Sequence, residues 1–314
     1  MFYHVKELQF NARVEKADPA FASLLLEQFG GGNGELKAAM QYFVQSFGAR
    51  MPYPDKYDLL MDIATEELSH LEIVGATITM LCDGINGELK DAVEKTYLAR
   101  LMKGKAEKES LIHESVMNPQ FLVLSGGGPA LTNSQGVPWT GAYVTANGDL
   151  TVDLRSNIAA ESRAKIVYEY LLQFTDDPGV QDTLRFLMTR EIAHFQQFSA
   201  ALETIQPNFP PGIRQGDPRY SHVTFNLSNG DSVTGPWNTG QGPWPQGEQW
   251  EYIEDPIGHV MKTKGMIDQG IQGTKKTQED IEKTNKELSK KRSQEVKAAV
   301  PKGEKQWSNY DDGK

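Results

Sequence analysis

The sequence predicts an all-α core of four long helices in two pairs, joined by a long crossover and followed by an extended C-terminal tail. Three observations carry that reading. Apolar residues recur at helical spacing through most of residues 18–205. Asp18-Pro19 and Asp177-Pro178 each offer an N-capping carboxylate followed by a residue suited to the first turn. Between the two helical pairs, residues 116–150 lose the helical period and gain Gly and Pro.

The elements follow in order. A first helix opens at Asp18-Pro19, runs through Leu24, Leu25, Leu26 and Phe29, and meets Gly30-Gly31-Gly32-Asn33-Gly34. A second starts at Glu35, with Leu36, Ala39, Met40, Phe43, Val44 and Phe47 as its expected apolar face. A third follows Pro54 and continues to about Asp83, striped by Leu59, Leu60, Ile63, Ala64, Leu68, Leu71, Val74, Ile78 and Leu81. Ser125-Gly126-Gly127-Gly128-Pro129 reads as loop, and Gly141 to Val152 as a small hairpin turning at Asn147-Gly148. Helix resumes from about 153 to 175, and again from about 178 to 205. Two helical pairs with a long crossover are the arrangement of a ferritin-like bundle.

The expected organisation is an N-terminal arm (1–17), the bundle (18–205) and a C-terminal region (206–314). Seven prolines between Pro207 and Pro245 argue against regular structure in much of that last region. It holds Trp237, Trp244, Trp250 and Trp307, four of the five tryptophans, and is expected to pack on another subunit. From about Thr277 to Val300 a highly charged helix is expected. Ile281, Leu288 and Val296 are its only spaced apolar residues, so it reads as solvated or partly disordered rather than as a coiled coil.

Composition narrows the function. The formal charge of −10 disfavours nucleic acid and anionic membrane as partners. No apolar run approaches the roughly 20 residues that span a bilayer. The opening Met1-Phe2-Tyr3-His4-Val5-Lys6 lacks the parts of a signal peptide, so a cytoplasmic location is expected. The single cysteine, Cys82, rules out an internal disulfide or a cysteine metal cage and reads as a small buried hydrophobe.

Of six histidines, only His70 and His194 have Glu three residues before them, at Glu67 and Glu191. Positions i and i+3 share a helix face, so each pair can address one ion. The flanking residues are apolar: Ile63, Leu71 and Val74 in one case, Phe186, Leu187 and Phe198 in the other. A carboxylate in such surroundings is costly unless paired or metal-bound. One Glu-x-x-His is weak evidence, but two copies on separate helices match half of a di-metal constellation whose other half is one Glu from each remaining helix. Glu35 and Glu161 meet that requirement, with Glu169 nearer a helix end. Glu66 rivals Glu67 because i and i+4 also share a face. Tyr42, seven residues after Glu35, is placed to hydrogen-bond a ligand carboxylate, and His113 reads as structural. Imidazole with many carboxylates suits iron or manganese.

With these residues in view, the sequence resembles the manganese catalases, the non-haem catalases of bacteria. The resemblance rests on Leu8-Gln9-Phe10-Asn11-Ala12, Asp18-Pro19, Thr65-Glu66-Glu67-Leu68-Ser69-His70, the stretch from Trp139 to Arg155, and Arg190-Glu191-Ile192-Ala193-His194, and spans roughly residues 1–230. It implies two manganese ions per subunit, no haem, and disproportionation of hydrogen peroxide as the ions cycle between the divalent and trivalent states. It further implies that Glu35 and His70 bind one ion, Glu161 and His194 the other, with Glu67 as the bridge. Glu191 becomes a carboxylate beside the metals that takes and returns protons. Some members carry Arg where this chain has Ala160, so an outer positive charge is expected to be missing. The resemblance also implies a calcium site between subunits from Asp58 and Asp62 with the loop Asn226, Ser228 and Gly230, and a homohexamer embraced by C-terminal tails. A di-iron ferritin-like oxidase or peroxidase, and a non-enzymatic coat-like assembly protein, are the competing expectations.

Overall fold

The computed structural model describes residues 4–83, 125–205, 216, 220–227, 235–245, 247–269 and 271–299. The chain divides into two compact units, Met1–Pro207 and Asn208–Lys314. His113, Ser228, Gly230 and Trp307 lie outside the described residues.

In the first unit, α1 (Pro19–Gly30), α2 (Glu35–Ala49) and α3 (Pro54–Leu81) precede the crossover, and α4 (Leu150–Leu171) and α5 (Pro178–Glu203) follow it. Helices α2 and α3 pack as one pair and α4 and α5 as the other; α2 meets α4, α3 meets α5, and α1 lies along α3. The caps follow the sequence. The carboxylates of Asp18 and Asp177 accept from the backbone amides of Phe21 and of Gly179 and Val180, respectively. Between α1 and α2 the chain turns so tightly that a Cβ on Gly34 would lie 2.5 Å from the Gln28 carbonyl, which explains the run of glycines there.

The core is layered along the bundle. Near one end Leu25, Leu26, Ile73, Val74, Ile78, Leu81, Leu184 and Leu187 form an apolar cluster. Near the other, Leu60, Ile63, Ala64, Leu154, Phe198 and Ala201 form a second. On α3 the buried Glu67 and His70 fall between Ala64 and Ile73; on the oppositely ordered α5, Glu191 and His194 fall between Leu187 and Phe198. Each fully buried large aliphatic side chain contributes about 1.5–3 kcal/mol. The two clusters thereby offset the cost of a polar layer at mid-height.

Several expectations are corrected. The apolar face assigned to the second helix is buried at Ala39 and partly buried at Leu36, Met40 and Phe43, but it is not the face that α2 turns to the site. Val44 and Phe47 are 46% and 47% exposed, while Glu35, Gln41, Tyr42, Gln45 and Ser46 are buried. The inward face is polar because it lines the site, so the apolar period marks the outer face. The hairpin over residues 141–152 is absent. Gly141–Tyr143 is a 3-10 turn, and α4 already begins at Leu150, capped by the Asp149 carboxylate. Gly148 does take a positive φ of 71°, but it serves helix entry: Asp153 accepts from the Asn147 and Gly148 amides. The antiparallel bridge in this stretch lies earlier, between Thr132 and Pro138.

In the second unit the described part of the proline-rich stretch holds only one short strand, and regular structure resumes after Pro245. Strands β1 (Val223–Phe225) and β2 (Glu251–Ile253) pair in parallel, and α6 (Pro256–Gln269) and α7 (Ile271–Ala299) follow. Trp244 stacks on Trp250 at 4.6 Å between centroids and meets Trp237 edge-on. These three tryptophans therefore pack first on one another. In α7, Ile281 and Leu288 are half-buried. No described helix is long and apolar enough to cross a membrane.

Candidate metal centre

The two Glu-x-x-His motifs converge. Ligand-type atoms of Glu67, His70, Glu191 and His194 all lie within 4.8 Å of one another, and all four residues are buried. The imidazoles stack at 5.5 Å with 21° between planes. Each turns Nδ1 inward: His70 Nδ1 is 2.9 Å from Glu67 Oε2, and His194 Nδ1 is 2.9 Å from Glu67 Oε1. Glu67 thus touches both rings. Glu35 Oε2 lies 3.6 Å from His70 Nδ1, Glu191 Oε1 lies 3.5 Å from the same atom, and Glu161 Oε2 lies 3.9 Å from His194 Nδ1.

Glu66 works from the outside. Its carboxylate accepts from Arg190 Nε at 2.7 Å and from Gln9 Nε2 at 2.8 Å. It faces His194 Nε2 at 3.0 Å and His70 Nε2 at 3.5 Å. A proton held on Nε2 by a carboxylate leaves the Nδ1 lone pair directed into the cluster, as a metal ligand requires. Glu66 and Glu67 thus sit on opposite edges of the imidazoles.

The remaining two carboxylates are tied by tyrosines in a crossed arrangement. Tyr42, on the helix of Glu35, donates to Glu161; Tyr168, on the helix of Glu161, donates to Glu35. Each tyrosine follows its own helix's glutamate by seven residues. Tyr168 was missed from the sequence, although it repeats the Glu35–Tyr42 spacing. Glu169 pairs with Lys165 at the helix surface and plays no part in the cluster.

The electrostatics are those of carboxylates confined without enough positive charge. Burial, and then the charge of Glu67, push Glu35 up to about 8. Burial and the same charge raise Glu191 to about 8. Burial, and then the charge of Glu191, hold Glu161 well above the usual range. Burial opposes ionisation of Glu67 too, but the charge and hydrogen bonds of the two histidines prevail and hold it below the usual range. His194 rises to about 10: burial works against this, and the charge of Glu67 outweighs it.

These residues fit a cation pair. Among the described residues, Glu35 Oε2, Glu161 Oε2 and both oxygens of Glu191 are buried without a hydrogen-bond partner, and Glu67 Oε1 and His194 Nδ1 face each other at 2.9 Å. Four carboxylate oxygens left unpaired in one buried cluster are expensive unless a cation satisfies them. The set is oxygen and nitrogen only. The lone thiol, Cys82, lies in the apolar cluster at 3% exposure, where burial pushes it up to about 11.

A family model described as manganese-containing catalase matches residues 1–292. The chain belongs to this family. The match runs well past residue 230, where the resemblance read from sequence faded, and takes in most of the second unit. A probable manganese catalase of Clostridium acetobutylicum is 46% identical over 208 residues, covering 66% of this chain and 81% of that protein. A manganese catalase of Bacillus subtilis strain 168 is 35% identical over 263 residues, covering 81% of this chain and 91% of its own length. The crystal structure of KatB, a manganese catalase from Anabaena, superposes with a TM-score of 0.64 at 37% identity, covering 82% of this chain and all of that one. Membership in the manganese catalase family also establishes the ferritin-like bundle.

One sequence expectation about the site is revised. Ala160 is buried, but this side of the bundle does not lack a cation. Lys37, on α2, is 3% exposed, and its Nζ finds no hydrogen-bond acceptor among the described residues. Burial, and then the charge of Arg163, pull its ammonium down to about 8, against the attraction of Glu161 and Glu67. Pattern reading passed over Lys37 because lysine on a helix is ordinarily a solvated residue.

Proposed function

We propose that this chain disproportionates hydrogen peroxide to water and dioxygen at a pair of manganese ions. The observation that carries the reading is the buried set of carboxylates around two Nδ1 atoms, several of their oxygens unpaired, in a chain of the manganese catalase family. Glu35 and His70 hold one ion, Glu161 and His194 the other, and Glu67 bridges them. The pairing is supported by proximity: Glu35 lies beside His70, Glu161 beside His194, and Glu67 against both rings.

When bound, the manganese pair supplies the two-electron store that one peroxide fills and the next empties. The protein handles the protons. Oxidising one peroxide to dioxygen releases two protons, and reducing the next to two waters consumes two. Glu191 suits this traffic because both its oxygens are buried and unpartnered, 3.5 Å or more from His70 Nδ1. Tyr42 and Tyr168 keep Glu161 and Glu35 aimed inward. Glu191→Ala should lose activity far more than manganese; a variant that turns over peroxide normally would remove Glu191 from the mechanism.

Two finer readings belong with this one. Asp58 and Asp62 lie one turn apart on the exposed side of α3, an arrangement of oxygen donors suited to calcium, with Asn226, Ser228 and Gly230 completing the site from a neighbouring subunit. The exposed Val44 and Phe47 of α2 suit burial in a homohexamer. Sedimentation with and without calcium tests both: a monomer in both conditions would dismiss them.

A further inference from the structure

Lys37 is a buried ammonium whose Nζ meets no acceptor among the described residues, and a buried donor left so is costly unless something supplies the acceptor. Its position follows from helix register. Lys37 and Gln41 are four residues apart and share one face of α2, and Asn33 lies in the turn just before that helix. Asn33 accepts from Arg163 Nε at 2.9 Å, and Gln41 donates to Asn157 at 2.8 Å. Midway between Arg163 and Asn157 on α4 stands Ala160, a turn before Ala164, and both alanines are buried. Lys37 thus shares its helix face with Gln41, which reaches α4, and is 3% exposed. The charges that act on it are Arg163 on the solvent side and Glu161 and Glu67 on the side of the metal cluster.

We propose that Lys37 is an anion-holding residue of the centre, positioning small anions, the hydroperoxide ion among them, beside the ligand carboxylates. This rests on the manganese catalase reading of the site. A buried, unpartnered ammonium gains strongly from a small anion that supplies the missing acceptor, and a fixed cation stabilises charge there without reorganising. Arg163 is exposed above it and makes the approach to this side of the bundle cationic, which draws anions inward although the chain as a whole is negative.

The experiment uses the manganese-loaded full chain with Lys37→Met, which keeps the length and removes the charge, and Lys37→Arg, which keeps the charge. Sodium azide is titrated against the electronic and electron-paramagnetic spectra, alongside manganese content and steady-state peroxide kinetics. The expected result is azide binding weakened at least tenfold in Lys37→Met at unchanged manganese content. KM for peroxide should rise more than kcat falls, and Lys37→Arg should retain most of the parental azide affinity. Parental azide affinity in Lys37→Met overturns the proposal, and so does equal weakening in both variants, which would make shape rather than charge the determinant. Should Lys37→Met fail to fold or load, Lys37→Gln replaces it under the same criteria. A parental chain that neither binds manganese nor consumes peroxide overturns the functional reading itself, and Lys37's role with it.

Discussion

Glu66 and Glu67 are adjacent in the chain yet face opposite edges of the same two imidazoles. Glu67 lies 2.9 Å from each Nδ1, and Glu66 lies 3.0 Å from His194 Nε2 and 3.5 Å from His70 Nε2. Successive helical residues point about 100° apart, so one turn of α3 can serve both sides of a ring pair.

Removing the outer carboxylate should therefore weaken metal binding without removing a ligand. Glu66→Ala is expected to lower manganese affinity by roughly 10- to 100-fold, the usual cost of losing a group that orients a metal-bound histidine. Competition against a chelator of known affinity measures it. Glu66→Gln, which keeps an acceptor, should recover part of the loss. Unchanged affinity in Glu66→Ala would show that packing alone orients the rings.

The crossed tyrosines make a paired prediction. Tyr42→Phe and Tyr168→Phe each strip a donor from a buried ligand carboxylate, Glu161 and Glu35 respectively. Each should weaken manganese binding by about tenfold or more. Because the two hydroxyls act on different carboxylates, the double variant should show nearly additive losses. Loss from one variant only would mean that the two halves of the site are not equivalent.

Metal-free protein should lose stability as pH rises. Glu35 and Glu191 stand near 8, against 4.5 in the unfolded chain, and His194 near 10, against 6.5. In each case the folded state binds protons that the unfolded chain has released. The carboxylates therefore withdraw stability as pH climbs from 4.5 toward 8, and His194 withdraws its contribution between 6.5 and 10. Glu66 and Glu67, held low, act in the opposite sense only at acid pH, and Lys37, near 8 against 10.5, does so only above about pH 8. Thermal unfolding of the metal-free chain from about pH 6 to about pH 9 should show a falling Tm. Manganese, which binds deprotonated ligands, should remove or reverse the slope. A flat profile without metal would contradict the electrostatic description of the cluster.

Cys82 should be inert in the native protein. It is buried, and its thiol is pushed up to about 11. A chromogenic disulfide reagent at about pH 8 should react only after unfolding. Rapid stoichiometric reaction of the native chain would place Cys82 at an accessible surface.

The sequence made some of this legible and hid the rest for physical reasons. The starts of α1, α2, α3 and α5 were readable because Asp18, Gly34, Pro54 and Asp177 mark them with capping or first-turn chemistry. The inward face of α2 was misread because hydrophobic periodicity finds the apolar face, and here the buried face carries Glu35, Gln41, Tyr42 and Gln45. Asn147-Gly148 suggested a hairpin because its positive φ suits one, but the same conformation leads into the Asp149 cap. The buried amide chain from Gln41 through Asn157 to Gln45 fastens that segment through Thr145, a tertiary relation that local pattern does not reveal. Tyr168 was discoverable from its spacing after Glu161. Lys37 was not, since only burial distinguishes it from a surface lysine.

The central claim is that the converged Glu-x-x-His motifs hold a manganese pair that destroys peroxide. Metal analysis and oxygen evolution measured on one preparation test it most directly, with His194→Ala as the control. The account predicts two manganese ions per chain, vigorous oxygen release from hydrogen peroxide without haem absorbance, and loss of both in the variant. Tightly held iron with no manganese, or a manganese-loaded chain that leaves peroxide intact, would contradict it.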